Sequence, residues 1–342
     1  MPATAEQELK PWLVGDSDGT RAIRRMILRV APSELPVWIE GETGAGKEQV
    51  AQALHAASGR RGAFVAVNVC AIAESMFEDA FFGHVRGAFT GARDQTYGYF
   101  GEAHGGTVFL DEISGLSLSA QAKLLRAVET HCYRQVGARA DRQSAFRVVA
   151  ASNVPFEQLT RSGRFRPDLG FRLRGSVLRV PPLRDRHEDI GPLAAHFLAA
   201  GTRGRGCHLT ESGLAWLASQ LWAGNVRELR LVLECARVLS DSESIGLSAL
   251  RSARLMIPPD MTTAIEFDRA LTRERDELLR LLRECDWDTS LAATRLGVDR
   301  STVYRRARRF GIELPRSGRG ASGMGLAPIG RQLGANASSS LV

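Results

Sequence analysis

The chain has 342 residues, is 44% hydrophobic and 24% charged, and carries 45 Lys and Arg against 38 Asp and Glu, a formal charge of +7. That length and composition suit one sizeable core with one or two small domains and exclude fibrous and low-complexity classes. The basic balance, with a pI near 9.6, points to a polyanionic partner if the charge proves to be clustered.

Residues 1–13 read as a short tether with no apolar core of a signal peptide. From Val14 a helical spacing begins, with Ile23, Met26, Ile27 and Val30 in phase. Val37 to Ile39 is a buried-strand pattern that stops at Gly41 and turns through Gly41, Glu42, Thr43, Gly44, Ala45, Gly46 and Lys47 into a helix beginning at Lys47-Glu48. The spacing is G-x4-G-K. Its glycines leave backbone N–H groups open to phosphate oxygens, and Lys47 can reach the terminal phosphates. The chain has only three lysines, Lys10, Lys47 and Lys123. A compact ammonium kept here, where Arg is used almost everywhere else, marks a point-charge contact.

Phe64 to Val67 is a second strand and Glu74 to Phe82 a helix, and the alternation of strand and helix implies a parallel α/β sheet. In the loop Gly87-Ala88-Phe89-Thr90-Gly91-Ala92, glycines flank one aromatic. Composition leaves open whether Phe89 folds back onto the core or makes an outside contact. Gly105 to Leu110 is a third strand running into Asp111 and Glu112, at the end of the sheet where α/β folds put ligands. Asp111 suits Mg²⁺, and Glu112 suits orienting and deprotonating a water. Ser119 to His131 reads as a helix and Arg147 to Asn153 as a strand. Asn153 either senses a phosphate or caps the next element. Arg166 and Arg172 lie near a loop, and in so arginine-rich a chain composition does not single them out.

After Pro181 the pattern becomes purely helical. Gly224 and Asn225 start a helix with Arg227 in its first turn, where the helix dipole disfavours a cation unless an anion is bound. Residues 253–267, with Pro258-Pro259, read as a linker. A helical stripe from Leu271, a short helix at Thr289 to Leu296, the turn Gly297-Val298-Asp299 and a basic helix from Arg300 to Phe310 give a helix-turn-helix layout. Seven arginines against one acid, Glu313, fall between Arg300 and Arg319. The charge is therefore clustered. Arg300, Ser301, Thr302, Tyr304, Arg305, Arg306, Arg308 and Arg309 are the candidate DNA contacts, and residues 315–342, rich in Gly, Ser and Ala, read as disordered.

The five cysteines are scattered without a C-x-x-C pair, so reduced thiols are expected. No run approaches the ~18 apolar residues of a membrane span, and a cytoplasmic protein is expected.

The motifs Gly41 to Glu48, Phe82-Gly83-His84, Gly87 to Ala92, Gly105 to Ile113, Pro181 to Arg186 and Gly224 to Leu229 closely resemble the central domain of the sigma-54-dependent transcriptional activators, or bacterial enhancer-binding proteins, a branch of the AAA+ ATPases. The resemblance runs from Val14 to Leu250, and the C-terminus is similar to their Fis-type helix-turn-helix. It implies an AAA+ P-loop three-layer α/β sandwich at 14–185, a helical lid at 186–252, a linker at 253–270 and an all-α helix-turn-helix domain at 271–314. ATP and Mg²⁺ are the implied cofactors, with sigma-54, RNA polymerase and upstream DNA as partners of a hexameric ring.

By the same resemblance Phe89 and Thr90 engage sigma-54, and Asp111 and Glu112 are the Walker B pair. Ala103, His104, Gly105, Gly106, Thr107, Val108, Phe109 and Leu110 join the nucleotide-binding stretch. Asn68 restrains Glu112, Asn153 is sensor I, Arg227 is sensor II, and Arg166 and Arg172 are fingers inserted by a neighbouring subunit. Four positions depart from common patterns: Glu48 stands where most phosphate loops have Ser or Thr, a feature the family shares, while Ala80, Gly101 and Ala223 replace the family's usual acid, Glu and Pro. No sensor domain is expected upstream, so a separate regulatory protein or expression level is the expected control. The alternative reading is a nucleotide-gated DNA-binding regulator without sigma-54 remodelling.

Overall fold

A computed structural model describes residues 3–200, 207–240, 242–257 and 261–314. The chain divides into two compact units, Met1–Pro259 and Asp260–Val342. In the first, five strands, β1 (Val37–Glu40), β2 (Phe64–Asn68), β3 (Thr107–Asp111), β4 (Arg147–Ser152) and β5 (Ser176–Arg179), form a parallel sheet in the order β2-β3-β4-β1-β5. Both faces are covered, which is why Val37 to Ile39 and Val148 to Ala151 read as unbroken apolar runs. Alternate side chains divide between the two faces. Trp38, Val108, Leu110, Val148 and Ala150 belong to one core, and Val37, Ile39, Phe109, Val149 and Ala151 to the other.

The helix Asp18–Val30 packs on the second face through Ile23, Ile27 and Val30, and the Ser17 hydroxyl caps it by accepting from the Thr20 N–H at 3.2 Å. Its far end is held by Arg147, whose buried guanidinium donates to the carbonyls of Leu35, Ala31 and Val30 at 3.0, 2.9 and 2.9 Å. The segment read as a tether is part of this body. Ala3–Glu8 is helical, and Leu9 and Leu13 are buried in the same core. Two such side chains contribute about 1.5–3 kcal/mol each on burial, too much to leave in a free linker. The segment 74–82 opens as a 3-10 turn, Glu74–Met76, before the helix Phe77–Phe82.

The lid consists of the helices Ile190–Ala200, Glu211–Ser219, Asn225–Leu239 and Leu247–Met256 around Leu217, Trp222, Leu229, Val232, Leu233 and Leu250. It is not purely helical, because His208–Leu209 pairs with Ser244–Ile245. Asp189, fully buried, ties it to the start of the α/β body, accepting from the Ser17 N–H and hydroxyl and the Thr20 hydroxyl at 2.8, 2.7 and 2.6 Å.

The second unit holds the helices Met261–Glu284, Thr289–Leu296 and Arg300–Arg309 around Leu278, Leu282, Cys285, Ala292, Val303 and Ala307. The 253–270 linker is shorter than expected. Ala253 is buried in the helix Leu247–Met256, and the next helix begins at Met261. The expected disorder of 315–342 lies outside the described residues. Among the described residues no helix is long and apolar enough to cross a membrane.

Candidate active site and interaction surfaces

The loop leaving β1 is shaped for phosphate by its backbone. Gly44 and Gly46 have φ of +75° and +104°, and Gly46 opens the helix Lys47–Ala57. At Gly44 a side chain is excluded twice, by the left-handed backbone and by the Gly224 carbonyl oxygen that a Cβ would strike. Lys47 lies over the loop, its Nζ donating to the carbonyls of Gly41 and Glu42 at 2.9 and 3.0 Å.

Lys47, Asp111 and Arg227 line one cavity of about 390 Å³, joined by Trp12, Val14, Leu193 and Phe197. That volume fits a nucleotide-sized ligand. Burial holds the Asp111 carboxyl above the ordinary aspartate range, and the Lys47 ammonium and the Glu112 N–H pull it back. That N–H donates to Asp111 Oδ1 at 3.0 Å. Glu112 itself is left-handed, φ +55°, a conformation that costs a non-glycine residue and turns it sharply off the strand end. Asn153, just after β4, donates from Nδ2 to the Thr43 hydroxyl at 3.4 Å and so sits against the loop.

Three assignments change. Of the stretch Ala103 to Glu112, only Asp111 reaches the cavity. Ala103 and Val108 to Leu110 are buried in the two cores, and Gly105 and Gly106 make the turn into β3. The reason is geometric, since only the residue at the carboxyl end of a strand faces the crevice. Asn68 pairs in register with Asp111, but its Oδ1 accepts from the Cys70 N–H at 2.9 Å rather than holding Glu112. Glu42, counted among the nucleotide-binding loop residues, directs its carboxylate to both Nη groups of Arg184 at 2.6 Å, which leaves only its backbone for a ligand.

Arg166 and Arg172 are outside this cavity. Arg166 pairs with Asp168 through Nη2 at 2.7 Å and Nε at 3.1 Å, and Arg172 donates to the Glu129 carbonyl at 3.5 Å. Sequence reasoning missed the wall made by Trp12, Leu193 and Phe197, and the roles of Arg184 and Asn225. The last two lay within motifs already noted, whereas the wall carried no local signal.

Phe89 stands at the tip of a hairpin closed by Gly87 N–H to Ala92 O at 2.8 Å and Ala92 N–H to Phe89 O at 3.0 Å. It is 46% exposed, with its ring edge-on to His84 at 4.9 Å between centroids. His84 is pinned through Nδ1 by Asp79 Oδ1 at 2.5 Å and the Thr96 hydroxyl at 3.1 Å. Core packing, the alternative left open for Phe89, is therefore not what this side chain does. Gly101 has a local reason as well, because a Cβ there would crowd the Tyr133 hydroxyl and the Tyr97 Cβ, both at 2.6 Å.

In the second unit the Asp288 carboxylate caps the helix Thr289–Leu296, accepting from Ser290 and Leu291 N–H at 2.8 and 3.2 Å, and Gly297 ends it at φ +65°. On the following helix Ser301, Tyr304, Arg305 and Arg308 are exposed, and Arg300 is drawn toward Thr289 and Tyr304 at 3.0 and 3.1 Å. Arg306 and Arg309 depart from the expected set. They turn inward to Glu274 at 3.6 and 2.6 Å, because they follow Val303 at three- and six-residue spacing onto the packed side of the helix.

Three family models match consecutive segments. The Sigma-54 interaction domain matches residues 13–179, the AAA+ ATPase lid domain 184–266, and the bacterial regulatory protein, Fis family, 272–310. The transcriptional regulatory protein ZraR of Klebsiella oxytoca is 38% identical over 314 residues, covering 90% of this chain and 71% of that protein. The chain belongs to the sigma-54-dependent transcriptional activators. Another relative of this activator, the DNA-binding transcriptional regulator NtrC of Rhizobium meliloti, is 35% identical, with 90% of this chain and 72% of that protein covered. Among solved structures, NtrX of Brucella abortus in complex with ADP aligns with a TM-score of 0.64 and 29% identity over 87% of this chain and 68% of that one, and its ATP complex scores 0.63. The activator therefore carries the AAA+ fold, its lid and a Fis-type helix-turn-helix.

Proposed function

We propose that this activator hydrolyses ATP and uses the energy to press Phe89 and Thr90 against sigma-54, converting a closed polymerase complex into an open one while residues 271–314 hold upstream DNA. The observation that carries the reading is one α/β body with a nucleotide-sized cavity at the carboxyl end of its sheet and an exposed aromatic on a braced hairpin. Loop N–H groups and Lys47 bind the phosphates. Glu112, which follows the cavity-lining Asp111 at the strand end, orients and deprotonates the attacking water once substrate is bound, Asn153 senses the γ-phosphate, and Arg227 closes the lid over it.

Asp111, desolvated and facing the cavity, is a hard oxygen donor of the kind Mg²⁺ takes together with substrate phosphates and waters, and Glu112 is the second carboxylate beside it. When bound, the ion neutralises phosphate charge. Arg166 and Arg172 act from a neighbouring subunit of a hexameric ring, where such a finger contributes about 10³–10⁵ in rate.

The test is an open-complex assay with sigma-54 polymerase, ATP and supercoiled promoter DNA. ATP-dependent opening is expected, lost in Thr90→Ala although hydrolysis continues. A Thr90→Ala protein that still opens the promoter would favour a nucleotide-gated DNA-binding regulator that does not remodel sigma-54.

A further inference from the structure

A carboxylate in a loop built for phosphate is electrostatically adverse, since two anions side by side raise each other's cost. Glu42 is such a group, and its surroundings explain it. Arg184, whose side chain is 4% exposed, holds both Glu42 oxygens. Asn225, fully buried, donates from Nδ2 to Glu42 Oε2 and to the Thr43 carbonyl, each at 3.1 Å, while its Oδ1 accepts from the Leu183 N–H at 2.8 Å. The Val226 N–H then bonds the Gly44 carbonyl at 3.0 Å, and Arg186 Nη2 the Ala45 carbonyl at 2.5 Å. Four consecutive loop residues, Glu42 to Ala45, are therefore each bonded to the lid or to the segment that enters it.

Asn225 holds its position in a left-handed conformation, φ +54°, at the start of the helix Asn225–Leu239. Asn enters this region more readily than other non-glycine residues, and here its three side-chain hydrogen bonds fix it in place. Arg227 lies two residues further along the same turn and lines the cavity.

We propose that Glu42, Arg184 and Asn225 form a lock that makes the lid follow the phosphate loop, so that a shift of the loop with the terminal phosphate is delivered to Arg227. They are positioning residues, not catalytic ones. A bidentate guanidinium–carboxylate pair with its guanidinium buried is the right part for this, because it transmits direction as well as attraction. The proposal rests on the nucleotide reading above and names what couples the two halves of that site.

The test uses the full chain as wild type, Glu42→Gln, Arg184→Gln, the Glu42→Gln/Arg184→Gln double variant and Arg184→Lys, each with and without Arg227→Ala. Affinities for ATP and ADP are measured by titration, and Tm is followed alongside. The double variant leaves no unpaired buried charge, so it remains informative if a single variant fails to fold. Breaking the lock is expected to lower the ratio of ATP to ADP affinity about tenfold, with ADP binding held within about threefold and Arg184→Lys intermediate. Arg227→Ala is expected to cost the wild type as much as breaking the lock, and to cost the double variant nothing more, since both act through the same side chain.

Equal weakening of ATP and ADP in step with Tm would overturn the lock, as would full additivity with Arg227→Ala. A wild-type protein that binds neither nucleotide would instead remove the reading on which the lock rests, a result separable from both.

Discussion

Asp111 is pulled two ways. Burial at the end of β3 raises its carboxyl, and the Lys47 ammonium and the Glu112 N–H lower it by less. A carboxyl whose folded pKa lies above its unfolded value binds a proton more tightly when folded. The empty protein is therefore destabilised at pH values above the folded pKa, and the penalty disappears as pH falls below the unfolded one. Asp111→Asn should raise Tm at pH 7 in the absence of nucleotide and metal, with the gain over wild type fading as the solution is acidified; thermal melts across that range read it directly. The same change should abolish ATP hydrolysis, because a site that binds a cation tolerates the cost of a desolvated carboxylate for that purpose. Lys47→Ala should lose both tight ATP binding and turnover, and a variant with wild-type turnover would remove Lys47 from the site.

At the scale of single elements, two pieces are braced in ways that separate stability from contact. The Phe89 ring packs on the chain Asp79–His84, in which an acid at position 79 holds the histidine although position 80, where the family usually has its acid, is Ala. Asp79→Ala should leave ATPase activity within about twofold, since no group of the nucleotide cavity is touched, yet weaken sigma-54 capture in a nucleotide-analogue pull-down. Normal capture would show that the hairpin is set by its backbone alone. The helix Arg300–Arg309 divides along its length in the same manner. Arg305→Ala should weaken DNA binding and reduce the salt slope by about one unit, as loss of one phosphate contact does. Arg309→Ala should instead lower the melting temperature of the second unit, because it leaves Glu274, 18% exposed in its side chain, with one ion-pair partner fewer. Gel-shift titrations at several salt concentrations, paired with melts, distinguish the two.

For the whole molecule the decisive fact is that Arg166 and Arg172 lie outside the cavity of their own chain. If they serve a neighbour's cavity, Lys47→Ala and Arg166→Ala proteins, each inactive alone, should regain measurable ATPase when mixed, and wild-type specific activity should rise with protein concentration. Mixtures that stay inactive would count against sites shared between subunits. Much of this architecture was legible from the chain. Phosphate loop, strand-end carboxylates and basic helix are local patterns, in which residue type and spacing alone set the chemistry, and the alternation of strand and helix implied the parallel sheet. The burial of Leu9 and Leu13 was not legible, because two leucines in a polar segment look the same free or packed. Nor was the inward turn of Arg306 and Arg309, which depends on a glutamate some thirty residues upstream. The sequence by itself determined that Gly41 to Lys47 is a loop suited to phosphate, since that suitability resides in the glycine spacing and in consecutive backbone N–H groups. Only the tertiary structure decided what Glu42 does there, because its partners, Arg184 and Asn225, are more than a hundred residues away and meet it only when the lid is folded against the loop.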